Sequence, residues 1–176
     1  QNDKGGIQTF IDEMIMKELD IPYFNPADEP IFSGEAIKEM LPQRPPFLFA
    51  DRISEIGDNY IIGEKMVSEK EYYFKGHFPG EPVMPGVLII ETMGQIGGVL
   101  IARKYVEDPQ LFTSYFTKVD KVKFRGKVVP GDVLVCRLTV PEEPRHRMVT
   151  MHGEAFVGDT LVCSGDLTVQ IARKSE

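Results

Sequence analysis

Cysteine is scarce: two residues in 176, too few to staple a disulfide scaffold. No run reaches the roughly 18 to 20 consecutive apolar residues that span a bilayer, and no secretory apolar segment opens the chain. Histidine is limited to His77, His146 and His152, with no HxxxH, HExxH or CxxC spacing, which argues against a zinc site. Positive charge is outnumbered. Twenty Lys and Arg against 27 Asp and Glu leave a net charge of −7, contrary to what a nucleic-acid binder held by phosphate contacts needs. Internal repeats and low-complexity tracts are absent. The composition is otherwise ordinary, 42% hydrophobic and 27% charged, which excludes wholesale disorder. These absences predict a soluble, cytoplasmic protein with one main core.

Cys136 and Cys163 lie inside alternating apolar patterns, VLVCRLTV and TLVCSGDL. The patterns suit two reduced thiols packed as small hydrophobes, and spacing alone also allows a disulfide between neighbouring strands.

Residues 7–20 space Ile7, Phe10, Ile11, Met14, Ile15 and Leu19 at helical intervals. Three prolines in the nine residues of PYFNPADEP, 22–30, then forbid a continuing helix. Residues 1–32 are therefore expected to be an amphipathic helix and a Pro-rich linker appended to a domain at 33–176. Ser33 is a candidate cap for a short helix through Met40. Strands are predicted in two short runs over 51–67 and at 115–124, 132–140, 147–157 and 160–171, the last alternating Cys163, Leu167, Val169 and Ile171 with polar residues. Between the second and third strands, PGVLIIETMGQIGGVLIARK at 85–104 is apolar nearly all round, which predicts a buried helix. Pro85 suits its first position, and Gly94, Gly97 and Gly98 suggest close approach by another backbone. The order of elements implies α+β: an antiparallel sheet wrapped around one long buried central helix.

Glu91 and Gln95 are polar intruders in that helix and share a face at i, i+4. A buried carboxyl is protonated, paired or lining a cavity, and the plain alternative is a helix face that meets solvent or another subunit. Upstream, KGHFPGEPVMPG at 75–86 packs three glycines and three prolines around His77, so it is a rigid loop delivering an imidazole to the amino end of the helix. The N–H groups near Gly86 have no intrahelical acceptor. A base, an acid and a helix-terminus amide are what elimination beside a carbonyl needs.

With these residues in view, the chain resembles the FabZ-type (3R)-3-hydroxyacyl-acyl-carrier-protein dehydratases, which have the hotdog fold. The resemblance covers roughly 35–172 and rests on LPQRPPFLFADRI (41–53), GHFPGEPVMPGVLIIETMGQ (76–95) and VDKVKFRGKVVPGD (119–132). It implies a hotdog dehydratase domain at 33–176, catalytic roles for His77 and Glu91, and a thioester-binding amide at Gly86, with Gln95, Phe78 and Val87 beside the substrate. It also implies a cofactor-free and metal-free reaction in fatty-acid biosynthesis. The partner is an acyl carrier protein bearing a phosphopantetheine-linked acyl chain, and the assembly is a homodimer or a homohexamer built as a trimer of dimers. Each site would combine His77 of one copy with Glu91 of another. Gln43 departs from the pattern, which is usually LPHR. The helix and linker at 1–32 resemble the junction found where this dehydratase is fused behind a lipid A deacetylase.

Residues 118–127, KVDKVKFRGK, carry five basic residues and one acid. If the strand continues, Lys121, Lys123, Arg125 and Lys127 project from one face, either as a solvated surface or as the docking site for the acidic carrier that the resemblance implies. Phe47, Leu48, Phe49, Met84, Val87 and Leu88 line an acyl slot or belong to the core. Other readings are a hotdog-fold acyl thioesterase, a dehydratase of a specialised lipid or polyene pathway, and an acyl-binding protein with a decayed site.

Overall fold

A computed structural model describes residues 4–175. Seven strands form one antiparallel sheet in the order β1-β2-β3-β5-β6-β7-β4: β1 Phe32–Ser33, β2 Arg52–Ile56, β3 Tyr60–Met66, β4 Phe112–Phe124, β5 Val133–Thr139, β6 Met148–Val157 and β7 Thr160–Arg173. Among the described residues three α-helices accompany them: α1 Lys4–Glu18, α2 Glu35–Met40 and α3 Gly86–Tyr105. The alternation read in β7 holds from Cys163 to Ile171, where every second residue is buried. Those apolar residues and Leu134, Cys136 and Leu138 of β5 form the sheet's inner face. Against it lie Met93, Ile96, Val99 and Leu100 of α3, all 2% exposed or less. This is the hotdog arrangement that the resemblance implied.

By length and composition α3 could cross a membrane, although the sequence was read as containing no such segment. Its burial against the sheet marks it as a core helix instead.

Three local expectations need correction. Pro85 is the N-cap, with extended ψ, and the helix begins one residue later. The short helix α2 is capped by Gly34 at φ 52°, a conformation suited to glycine, while Ser33 belongs to β1. The helix glycines face side chains rather than another backbone: a Cβ on Gly94 would meet the Phe116 ring, on Gly97 the Met151 sulfur, and on Gly98 the Leu41 side chain. The central helix therefore accepts large side chains from β4 and β6 into its own groove.

Cys136 and Cys163 are both free and buried. Each is in register with Ala155, Cys136 from β5 and Cys163 from β7. Two strand spacings, about 10 Å, separate them, beyond the reach of a disulfide.

The helix α1 and its linker lie on the outer face of the sheet. There Arg137, alternating with the inward Cys136 and Leu138, bonds Asp20 at 3.0 Å and Glu154 at 2.9 Å. Arg52 stacks on the Phe24 ring at 5.0 Å and donates to the Asp28 carbonyl at 3.0 Å. Met16 is buried beneath the helix, whereas Ile7, Phe10, Met14 and Leu19 remain between 56 and 64% exposed. The apolar stripe read from the sequence thus faces away from the body.

Candidate active site

The His77 loop is built from its own short-range bonds. Phe78-Pro79-Gly80-Glu81 closes a tight turn, with Phe78 and Glu81 exchanging backbone bonds at 3.0 Å and Gly80 supplying the positive φ that such a turn requires. The Val83 amide donates to the His77 carbonyl at 2.9 Å, and Met84 donates to Val128 at 2.8 Å, tying the loop to the segment after β4. The His77–Phe78 peptide is cis. Phe78 stacks on the imidazole with ring centroids 4.0 Å apart.

The His77 ring is oriented by one bond: Nδ1 lies 2.7 Å from the Val83 carbonyl oxygen. A carbonyl can only accept, so Nδ1 carries the hydrogen of the neutral imidazole and Nε2 keeps its lone pair. This is the tautomer a general base needs. Spacing alone could not reveal the partner, because a backbone carbonyl carries no sequence signal.

Glu91 lies in the second turn of α3. Burial raises its carboxyl above the ordinary carboxylate range, against the opposing pull of the Gln95 and Gln43 amides. Gln95 Nε2 donates to Glu91 Oε1 at 3.0 Å. The same Gln95, 2% exposed, donates to the Phe47 carbonyl at 3.0 Å and accepts from the Phe49 amide at 2.7 Å. One side chain therefore holds both the carboxyl and the 47–50 segment. The sequence singled out Gln95 through its polarity, but not the loop that it fastens.

Gly86 opens α3, and its amide points out of the helix with no intrahelical acceptor. The Phe124 ring lies directly over it: a Cβ there would stand 2.7 Å from Cε1. Val87, in the first turn of α3, is 69% exposed, and Phe78, stacked on the His77 ring, is 51% exposed. Of the residues read as slot or core, Phe49 and Met84 are core, whereas Phe47 is exposed. Within one chain, no hydrogen bond or ion pair joins His77 to Glu91 among the described residues. The same residues contain no metal-binding cluster.

The basic stripe is less regular than alternation suggested. A bulge between Asp120 and Lys123 places Lys121 at φ 52°, and the strand ends at Phe124. Lys121, Lys123, Arg125 and Lys127 are all exposed, but they do not form one pleated face. Lys127 pairs with Glu81 of the His77 loop at 3.1 Å.

A cleft of about 810 Å³ lies elsewhere, between α1 and the outer face of the sheet, lined by residues including Glu13, Asp20, Tyr23, Glu55 and Arg137. None of the predicted site residues lines it.

Residues 41–166 match the family model described as a FabA-like domain. The chain is 49% identical to the bifunctional enzyme LpxC/FabZ of Porphyromonas gingivalis over 93% of this chain and 35% of that protein, so it spans about a third of that relative's length. It is 48% identical to the 3-hydroxyacyl-[acyl-carrier-protein] dehydratase FabZ of Syntrophobacter fumaroxidans, over 77% of this chain and 92% of that one. Among solved structures, the dehydratase heterocomplex ApeI:P from Xenorhabdus doucetiae superimposes with a TM-score of 0.67 at 18% identity, covering 85% of this chain and 93% of that one. At that identity the likeness shows the hotdog fold alone. The family match over most of the chain and the identity to a nearly full-length FabZ converge: this chain belongs to the FabA-like family, among its FabZ relatives.

Proposed function

We propose that the chain removes water from a (3R)-3-hydroxyacyl thioester carried on an acyl carrier protein, giving the trans-2-enoyl thioester for fatty-acid biosynthesis. The observation that carries this reading is the His77 Nδ1 bond to Val83, which leaves Nε2 as a base on a rigid loop leading into the helix that bears Glu91. His77 Nε2 takes the proton from C2 while the Gly86 amide stabilises the enolate-like thioester oxygen. Glu91, its carboxyl raised by burial, gives a proton to the 3-hydroxyl as the C3–O bond breaks. C2–H and C3–O are lost, C2=C3 is formed, and the proton taken by His77 balances the one given by Glu91. No cofactor enters this scheme. Phe78 and Val87 would border the acyl chain.

Among the described residues no hydrogen bond or ion pair joins His77 to Glu91 within one chain, which suits a site shared between two copies in a homodimer or a trimer of dimers. The domain assignment follows the same logic. The match to the bifunctional relative extends over 93% of the chain, against 77% for the FabZ of Syntrophobacter fumaroxidans. Residues 1–32 are then an appendage shared with the bifunctional relatives, and 33–176 is the dehydratase unit, working in the cytoplasm where its carrier is found.

The test is direct. With a (3R)-3-hydroxyacyl thioester, the protein produces the enoyl absorbance without releasing free thiol. Thiol release without enoyl product would replace dehydration by hydrolysis.

Lys121, Lys123 and Arg125 form no ion pairs among the described residues, so a long-range field from them is free to act on an acidic carrier. The double change Lys121→Glu and Lys123→Glu is expected to raise KM for the carrier-linked substrate about fivefold, leaving KM for a short soluble thioester nearly unchanged. Steady-state kinetics on both substrates checks this, and equal effects would remove these lysines from a docking role.

A further inference from the structure

We propose that Lys65 is a positioning residue for the reaction: its buried ammonium ties the support of His77 to the support of Glu91. This rests on the dehydration reading above and adds to it the group that holds the two supports in place.

Alternation puts Lys65 on the same face of β3 as Ile61 and Gly63. Ile61 is buried in the core, and a Cβ on Gly63 would meet the Ile96 side chain of α3. Lys65 thus carries a charge in a row that faces the central helix, and it is only 3% exposed. Burying an ammonium is costly, and a buried ion pair adds little net stability over apolar residues of similar volume. Stability alone does not account for a lysine at this position.

Its contacts run in two directions. On one side, Nζ lies 2.8 Å from Glu71 Oε1. Glu71 is the N-cap residue of a short 3₁₀ helix, Tyr72–Lys75, and its carbonyl accepts from the Phe74 amide at 3.2 Å. The Tyr73 carbonyl of that turn accepts the His77 amide at 3.0 Å, so the turn sets where the imidazole loop begins. On the other side, Nζ stands 5.3 Å from the centre of the Phe49 ring, within reach of a cation–π contact. The Phe49 amide donates to Gln95 Oε1, and Gln95 Nε2 donates to Glu91. The Phe49 and Tyr73 rings also lie together, with centroids 6.4 Å apart. The supports of base and acid therefore meet at one ammonium.

The consequence is geometric. The far end of the His77 loop is fixed separately, by the Val83 amide on the His77 carbonyl and by Met84 on Val128. Breaking the Lys65–Glu71 pair releases the near end against this fixed one. The Nδ1 bond to the Val83 carbonyl, which selects the tautomer, then loses its alignment. A displacement of about 1 Å at a reacting group is enough to cost about a hundredfold in rate. Because the reading above draws His77 and Glu91 of one site from different copies, each lysine bears on two sites.

Lys65→Met keeps an unbranched side chain and removes the ammonium. With a short soluble (3R)-3-hydroxyacyl thioester it is expected to lower kcat about tenfold and to leave KM unchanged. The second readout is the His77 ring, one of three imidazoles in the chain. Nitrogen and carbon shifts of isotope-labelled histidine, taken where the imidazole is neutral, should show the Nδ1–H form in the parent and a mixture of tautomers in the variant. A lysine with a merely structural role would change the melting temperature and neither of these. Either quantity staying at the parent's value in the folded variant overturns the assignment, as does a rise in KM alone. If Lys65→Met fails to fold because Glu71 is left unpaired, Lys65→Met with Glu71→Gln removes both charges and reads the same two quantities. The tautomer is measured without turnover, which separates the two levels of inference. If the unmutated protein forms no enoyl product, the dehydration reading fails. If it does and the tautomer contrast is flat, Lys65 alone loses its role.

Discussion

Replacing His77 by alanine is expected to lower turnover about a thousandfold and to leave the protein folded. The imidazole is half-exposed on a loop, and its one polar contact is the bond to the Val83 carbonyl. Losing a neutral hydrogen bond of this kind costs about 1 kcal/mol. The rate effect is far larger because no other described group stands in the place of Nε2: the loop's one carboxylate, Glu81, is paired with Lys127 at 3.1 Å, and the rest of the loop offers carbonyls, prolines and glycines. Initial rates of enoyl formation beside a thermal melt separate the two effects. A variant that keeps near-normal turnover would show that the C2 proton leaves by another route, and the mechanism proposed for this site would fall with it.

Gln95→Met is expected to destabilise the protein by about 3 kcal/mol and to lower its melting temperature by about 10 °C. Methionine matches the shape of glutamine, so the change opens no large cavity. What it removes is the partner of three groups at once: the Phe49 amide, the Phe47 carbonyl and the Glu91 carboxyl. Two of these are backbone groups of a segment with no strand or helix of its own, so they have no neighbour to turn to. Losing an N–H donor also raises the Glu91 carboxyl further, in the direction burial already pushes it. The acid is then harder to ionise, and the group keeps its proton to higher pH. A chemical-denaturation midpoint close to the parent's would mean that the 47–50 segment is held by its aromatic contacts alone.

The elements most legible in the sequence were those whose signal is repeated. Alternation over ten or more residues located β6 and β7 closely, and a long apolar run bounded by Pro85 and Arg103-Lys104 located α3. Features that rest on one residue's backbone angle were not legible. The Lys121 bulge leaves no periodic trace, so the four cations were read as one pleated stripe. Gly34 took the capping role assigned to Ser33 because a left-handed residue was needed there. In α1 the apolar stripe was read well, but the direction it faces depends on Met16, Asp20 and Arg137, partners more than a hundred residues apart in part. The same division runs through the candidate site. His77, Glu91 and Gln95 stood out by residue type in an unlike setting, whereas the Val83 carbonyl that orients His77 and the 47–50 segment that Gln95 fastens are visible only in three dimensions.

The two cysteines have a practical consequence. Burial pushes the Cys163 thiol up to about 11 and raises Cys136 as well, so neither supplies the thiolate that alkylating probes attack. The native chain is thus a chemically silent background, and a single cysteine introduced on its surface becomes the one point of attachment. Placed at Tyr72, 47% exposed and five residues before His77, a spin label would report whether copies of the chain pair in solution, with no native thiol to remove first.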